Sequence, residues 1–90
     1  MKRYRCIVKG VVQGVWYRKH VADAASAAGI RGYVKNLPDG SVVAVADLDS
    51  DDLERFKSIL KKGSPLSQVE SVECSEIELD APFDDFRIVR

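Results

Sequence analysis

"IRGYVKNLPDGSVVAVADL", residues 30–48, decides the fold because it holds two strand patterns joined by a tight turn. Residues 30–36 are rich in β-forming side chains, and residues 41–48 continue with valine and alanine. Between them, residues 37–40 read Leu-Pro-Asp-Gly, in which proline presets φ and Asp-Gly is typical of hairpins. We therefore expect two directly paired antiparallel strands in the middle of the chain.

A helical pattern lies on each side of this hairpin. Upstream, residues 18–29 carry small apolar side chains at helical spacing and close on a glycine. Downstream, residues 49–63 have acidic side chains in the first turn, lysines in the last and an apolar stripe between them. We expect the side chain of Asp49 or Ser50 to cap this second helix.

Strand patterns also occupy both ends of the chain. Residues 2–10 alternate, which puts Tyr4, Cys6 and Val8 on one buried face. Residues 68–79 form a further strand pattern, and its apolar parity changes between Cys74 and Ile77, which predicts a bulge or a bend there. A short final strand is expected near residue 86.

The resulting order is β-α-β-β-α-β with a short extra strand at the C-terminal end. This order predicts an α+β, ferredoxin-like sandwich in which two helices pack on one face of an antiparallel sheet. Ninety residues are enough for one domain, so we expect residues 1–90 to form a single domain and a monomer. The fold hosts many functions and does not decide the chemistry.

Charge and cysteine content restrict the partners. Basic and acidic residues are equal in number, at 14 each, which argues against nucleic acid or an anionic membrane as a partner. No apolar run reaches the length of a membrane span and no secretory segment is apparent, so we expect a cytoplasmic protein. Cys6 and Cys74 match no metal spacing and are expected to be free, buried thiols.

The first helix begins without the residue types that normally cap a helix. No Ser, Thr, Asp or Asn precedes it, and Arg18, Lys19 and His20 crowd its first turn, where cations are disfavoured. An anion could bind the unpaired N–H groups there, with Gly14 letting them converge and Arg18 holding two oxygens. A solvated connection between strand and helix explains the same pattern, so the residues alone leave both interpretations open.

Two stretches taken together are more specific. The sequence "GVVQGVWYR", residues 10–18, and "AAGIRGYVKNLPDG", residues 27–40, closely resemble the signature of the acylphosphatase family. Ile30 and Tyr33 replace the leucine and tryptophan of the family pattern, and Leu48 stands where many relatives carry glycine. The resemblance covers nearly the whole chain, and the family has the same length and element order.

The resemblance implies hydrolysis of the carboxyl–phosphate bond of small acyl phosphates, with no metal ion or cofactor. Inorganic phosphate or sulfate would then bind as product or inhibitor. The family's catalytic arginine falls on Arg18, and its catalytic asparagine, which would hold the attacking water, falls on Asn36. The phosphate cradle falls on the backbone N–H groups of Val12, Gln13, Gly14, Val15, Trp16 and Tyr17.

Side chains next to these positions have weaker claims. His20 is the only histidine, but two residues beyond Arg18 the helix has turned by about 200°, so we expect it to face solvent. We expect Tyr17 to pack under the loop, whereas Trp16 could form an apolar wall for the acyl group. The acidic residues between 47 and 52 are better explained by helix capping than by a metal ion.

Other functions fit the sequence less well. A non-catalytic anion-binding or regulatory module would keep the fold and the loop without turnover. An RNA-binding module of this topology would carry an aromatic pair on its central strands, and a metal carrier would carry a Cys-x-x-Cys loop. The sequence has neither feature.

Overall fold

The computed structural model describes residues 1–90, and its element order is the predicted one, with a ferredoxin-like sandwich as the fold. A short 3-10 helix, Ser50–Asp52, precedes the second α-helix. No helix is long and apolar enough to cross a membrane. The elements are β1 (Lys2–Val11), α1 (Tyr17–Ala27), β2 (Arg31–Asn36), β3 (Val42–Leu48), α2 (Leu53–Lys62), β4 (Gln68–Ile77) and β5 (Phe86–Val89).

The five strands form one sheet in the order β4-β1-β3-β2-β5, and the helices pack on it and against each other. The predicted hairpin is confirmed, since β2 pairs antiparallel with β3 from Arg31 opposite Asp47 to Asn36 opposite Val42. The expectation of a wholly antiparallel sheet is wrong, because β5 runs parallel to β2. After β4, at one edge, the chain returns across the molecule and enters the other edge in the direction of β2.

The core lies between the sheet and the helices. Tyr4, Cys6 and Val8 are buried in it, as the alternation of β1 predicts. Phe56 and Leu60 supply the apolar stripe of α2. β3 has a strand on each side and is buried along its whole length, with Val42, Ala44, Ala46 and Leu48 in the core.

Two local predictions are wrong. Neither Asp49 nor Ser50 caps α2, because its N-cap is Asp52, whose side chain makes no capping bond. Asp49 is the N-cap of the 3-10 helix but also makes no capping bond; its carboxylate lies 3.8 Å from the N-terminal ammonium group instead. The irregularity of β4 is not after Cys74 but opposite the Lys9–Gly10 step of β1. Gly10 has φ 130° there, and a Cβ atom would collide with the Gln68 carbonyl oxygen, so close backbone approach fixes the bulge.

The prediction of free thiols is also wrong, because Cys6 and Cys74 form a disulfide. The two residues are direct register partners in the β1–β4 pair, with their Cα atoms 4.0 Å apart. Directly opposed residues of an antiparallel pair come close enough for this bond. The bond fastens the edge strand β4 to β1, the strand that leads into the loop before α1.

Reduction of this disulfide is expected to destabilise the protein strongly. The bond spans 68 positions in sequence, and closing a loop of that size corresponds to about 4 kcal/mol of chain entropy in the unfolded state. Urea unfolding with and without dithiothreitol measures the difference. The double variant Cys6→Ala/Cys74→Ala is the control, since its free energy of unfolding should not respond to dithiothreitol. An equal free energy for the oxidised and reduced wild type would contradict the prediction.

Candidate active site

The loop between β1 and α1 leads into a helix that has no side-chain cap and no acidic residue in its first turn. No backbone N–H group from Gln13 to Lys19 donates to a backbone carbonyl, and the first to do so is that of His20, 3.1 Å from the Trp16 oxygen. A helix normally satisfies these donors with a capping side chain. The loop therefore presents a run of free donors at the positive end of the helix dipole.

Two residues of the loop have positive φ angles, and the residues on either side of each have negative φ. Gly14 has φ 73°, and a Cβ atom there would meet no other atom within 4 Å, so conformation and not space requires glycine. Trp16, at the N-cap of α1, has φ 64°. Left-handed residues in such alternation turn successive N–H groups toward one point, which makes an anion-binding concavity.

The side chain of Gln13 ties this loop to the β2–β3 turn. Its Nε2 donates to the carbonyl oxygens of Leu37 and Ser41, at 2.8 Å each. The turn is itself braced, because the Asp39 carboxylate accepts hydrogen bonds from the backbone N–H and the hydroxyl of Ser41. These bonds hold the pKa of Asp39 below its usual value. Asn36, the residue before Leu37, is thereby fixed relative to the loop.

Two buried groups support the loop from below. The Tyr17 ring is almost completely buried and its hydroxyl donates to the Leu60 carbonyl oxygen at 2.8 Å, so this residue packs under the loop as predicted. Burial raises the pKa of the Tyr17 phenol, which keeps it neutral. The Ser64 hydroxyl donates to the Val15 carbonyl oxygen at 2.6 Å. These two contacts fix the Val15 carbonyl and the first residue of α1 relative to the end of α2.

Arg18 faces an open depression of about 420 Å³ beside the loop. Its guanidinium forms no ion pair, and its Nη1 lies 3.4 Å from the Val89 carbonyl oxygen. Lys19, in contrast, pairs with Asp23 at 3.0 Å. An unpaired arginine is free to bind two oxygens of an anion. The depression is lined by Val12, Gly14, Trp16, Tyr17, Arg18, Lys19, Ile88 and Arg90.

Asn36 is not among the residues that line the depression. Lys35 is opposite Val89 in the parallel β2–β5 pair, so Asn36 is level with Arg90, which does line it. The Oδ1 atom of Asn36 is buried and has no hydrogen-bond partner. A buried acceptor without a partner costs about 1–3 kcal/mol. Such an atom is unusual in a folded protein, and a bound water or ligand would satisfy it.

His20 is exposed, as predicted, and does not line the depression. Its Nδ1 lies 2.9 Å from the Trp16 carbonyl oxygen, and because a carbonyl only accepts, this contact requires a proton on Nδ1. Asp47, the first residue of the acidic segment, is occupied by an ion pair with Arg3 at 2.6 Å. The hydrogen bond that Arg3 donates to the Asp47 carboxylate raises the pKa of Arg3.

Sequence reasoning missed four features of the site: the side-chain role of Gln13, the support from Ser64, and the contributions of Ile88 and Arg90. Ser64 and the end of β5 are far from the loop in sequence, and only the folded sheet brings them together. A weak signal existed for Ser64, since a serine that follows a helix-ending glycine and precedes proline is placed to bond a neighbouring backbone.

Fold and loop together define a small ferredoxin-like protein with a run of free N–H donors at the start of its first helix. A sequence profile of acylphosphatases matches residues 4–88. The acylphosphatase of Methylococcus capsulatus is 39% identical over 90 residues, which are 100% of this chain and 98% of that protein. The crystal structure of acylphosphatase from Bacillus subtilis is similar with a TM-score of 0.92 and 37% identity, over 100% of each chain.

A structure of T. kodakarensis HypF is also similar, with a TM-score of 0.86 and 34% identity. The likeness covers 100% of this chain but only 12% of that much longer one. The chain belongs to the acylphosphatase family, and it is an enzyme of that type, a hydrolase.

Proposed function

We propose that this protein hydrolyses small acyl phosphates to a carboxylate and inorganic phosphate without a metal ion or cofactor. The observation that carries the proposal is the run of free N–H donors at the start of α1 beside the unpaired guanidinium of Arg18. Both features favour a phosphoryl group, whose charge is spread over several oxygens. A monomer in the cytoplasm remains our prediction for the state and place in which it acts.

The loop and Arg18 would act mainly by electrostatic stabilisation. In phosphoryl transfer, the transition state spreads negative charge over three equatorial oxygens. The N–H groups of residues 12–17 and the fork of Arg18 would donate to those oxygens from positions that Ser64 and Gln13 hold fixed. Donors that are already in place need no reorganisation during the reaction, which is why they accelerate it.

Asn36 would hold the attacking water. Its side-chain amide would hydrogen-bond to that water and orient the water's lone pair toward phosphorus. The water oxygen forms a bond to phosphorus, the bond to the acyl oxygen breaks, and the carboxylate leaves with that electron pair. An amide cannot take the proton near neutral pH, so it passes to a phosphate oxygen or to solvent. A carboxylate leaves readily, and no strong base is needed.

A second candidate is a non-catalytic anion-binding or regulatory module. The likeness to a segment of HypF favours it, because that segment is one part of a longer protein. Such a module would bind phosphate through the same loop but would not turn over an acyl phosphate.

Hydrolysis of benzoyl phosphate by the purified protein in EDTA separates the two candidates. Turnover above the spontaneous rate is expected for the enzyme, and phosphate or sulfate should raise the melting temperature, since both would bind only the folded state. An increase in melting temperature with phosphate, without turnover of benzoyl phosphate, would favour the non-catalytic module. Absence of both effects would refute the anion site.

Loss of the Gln13 bridge is expected to slow turnover more than it weakens substrate binding. Gln13→Met keeps the length of the side chain but removes the two donors to Leu37 and Ser41, which loosens Asn36 relative to the loop. A displacement of this kind lowers kcat by about 10- to 100-fold. Gln68→Met on the edge strand β4 is the matched control. A variant with wild-type kcat would show that the bridge does not position Asn36.

A further inference from the structure

Trp16 combines two features that are rare together. It is the only tryptophan in the chain, and its side chain is 71% exposed although it is large and apolar. Its backbone is left-handed, with φ 64°, a conformation that side chains larger than Asn seldom adopt. Strained backbone of this kind persists only where the surroundings enforce it, and it concentrates at functional sites.

Hydrogen bonds on both sides enforce this conformation. The carbonyl before it, that of Val15, accepts from the buried Ser64 hydroxyl at 2.6 Å. Its own carbonyl accepts from the backbone N–H of His20 at 3.1 Å and faces the Nδ1 of the same residue at 2.9 Å. The indole is therefore held at the depression by its backbone and not by burial of the ring.

Ile88 supplies a second apolar surface in the same depression. It is 43% exposed on β5 and reaches the site only because that strand runs parallel beside β2. At about 420 Å³, the depression is larger than one phosphoryl group requires, so part of it is left for the rest of the substrate. Three cations line it: Lys19 is paired with Asp23, Arg18 is assigned to phosphate in the proposed function, and Arg90 forms no ion pair.

We propose that Trp16 and Ile88 form an acyl-binding subsite, and that the enzyme prefers acyl phosphates with a flat, apolar acyl group such as an aromatic ring. The proposal rests on the proposed function. Ring stacking on the indole and contact with the isoleucine would remove apolar surface of both partners from water. The subsite adds selectivity to a phosphate loop that by itself reads only the shared phosphoryl group.

Competition between substrates tests the subsite without depending on overall activity. The quantity measured in each variant is the ratio of kcat/KM for benzoyl phosphate to kcat/KM for acetyl phosphate. Trp16→Ala is expected to lower this ratio by about tenfold, a usual value for loss of apolar contacts in a binding pocket. Trp16→Phe should retain most of it. Leu66→Ala, at an exposed apolar residue outside the depression, should leave the ratio unchanged.

Binding of phosphonates gives a second readout that needs no turnover. Phenacylphosphonate and acetonylphosphonate are analogues of benzoyl phosphate and acetyl phosphate in which a methylene group replaces the scissile oxygen. The fluorescence of Trp16, the single tryptophan, reports their binding. Phenacylphosphonate is expected to bind about tenfold more tightly than acetonylphosphonate and to change the emission of the tryptophan. In Ile88→Ser, which keeps the tryptophan, this difference should shrink by about threefold.

The two readouts separate failure of the inference from failure of the proposed function. Absence of turnover with both acyl phosphates would refute the function, while the phosphonate preference would still support the subsite. The subsite would be refuted, even with full hydrolytic activity, by an unchanged kcat/KM ratio in Trp16→Ala together with an unchanged difference in phosphonate affinity in Ile88→Ser. A preference for succinyl phosphate over benzoyl phosphate that Arg90→Gln removes would also overturn it, in favour of an anionic acyl group.

Discussion

Arg18→Ala is expected to lower kcat/KM for benzoyl phosphate by about a thousandfold, the range found when an arginine that stabilises a phosphoryl transition state is lost. The guanidinium faces the depression, has no carboxylate partner and makes only one long contact, to the Val89 carbonyl oxygen. No ion pair of the folded protein is lost in the variant. Loss of the Arg18 guanidinium also removes a cation from the positive end of the α1 dipole, which should stabilise the helix by roughly a few tenths of a kcal/mol.

Three measurements make this prediction specific. The melting temperature of Arg18→Ala without ligand should equal or slightly exceed that of the wild type, while the increase with phosphate should disappear. Arg18→Lys keeps the charge but not the fork, so an intermediate rate is expected. Arg55→Ala, which removes an exposed arginine from α2, is the matched control for charge. A rate for Arg18→Ala within tenfold of wild type would remove Arg18 from the proposed mechanism.

The predictable part of the fold depended on short-range patterns. The hairpin around residues 37–40, the alternation of β1 and the stop of α1 at Gly29 each follow from a few neighbouring residues. The disulfide was missed because it depends on which position of β4 lies opposite Cys6. That register is set by packing over 68 positions of sequence, and composition favoured free thiols.

The errors in detail have similar causes. The change of parity after Cys74 in fact marks the exposed end of β4, where no core enforces alternation, whereas the bulge lies where Gly10 meets the backbone of β4. The parallel pairing of β5 was missed because a four-residue strand carries no signal of direction. The cap of α2 was misplaced because Asp49 precedes a 3-10 helix and not the α-helix itself.

The candidate site also has a part that the sequence predicts and a part that it does not. Its loop could be predicted because missing caps, glycine and misplaced charge all lie within residues 10–20. The supports of the loop could not, since Ser64 and the Gln13 acceptors are distant in sequence and act through ordinary serine and backbone groups. Ile88 and Arg90 reach the depression only through the pairing of β5 with β2.

Asn36→Ala should separate catalysis from binding. The residue does not line the depression, and we assign its side-chain amide to the attacking water. We therefore expect kcat to fall by about 100- to 1000-fold, as for other lost polar groups that act in the transition state. KM and the affinity for phosphate, measured from the phosphate dependence of the melting temperature, should change less than about threefold, because uniform binding is retained.

The same variant should be about as stable as the wild type. The Oδ1 atom of Asn36 makes no hydrogen bond within the protein, so the substitution breaks none at this atom and loses only the packing of a half-buried amide. Urea unfolding checks this, and Asn36→Asp provides the comparison, because it keeps the oxygen but adds a negative charge near the phosphate. A slower enzyme of unchanged stability is the pattern of a residue kept for function and not for folding. Weaker phosphate binding at unchanged kcat would instead make Asn36 a phosphate ligand.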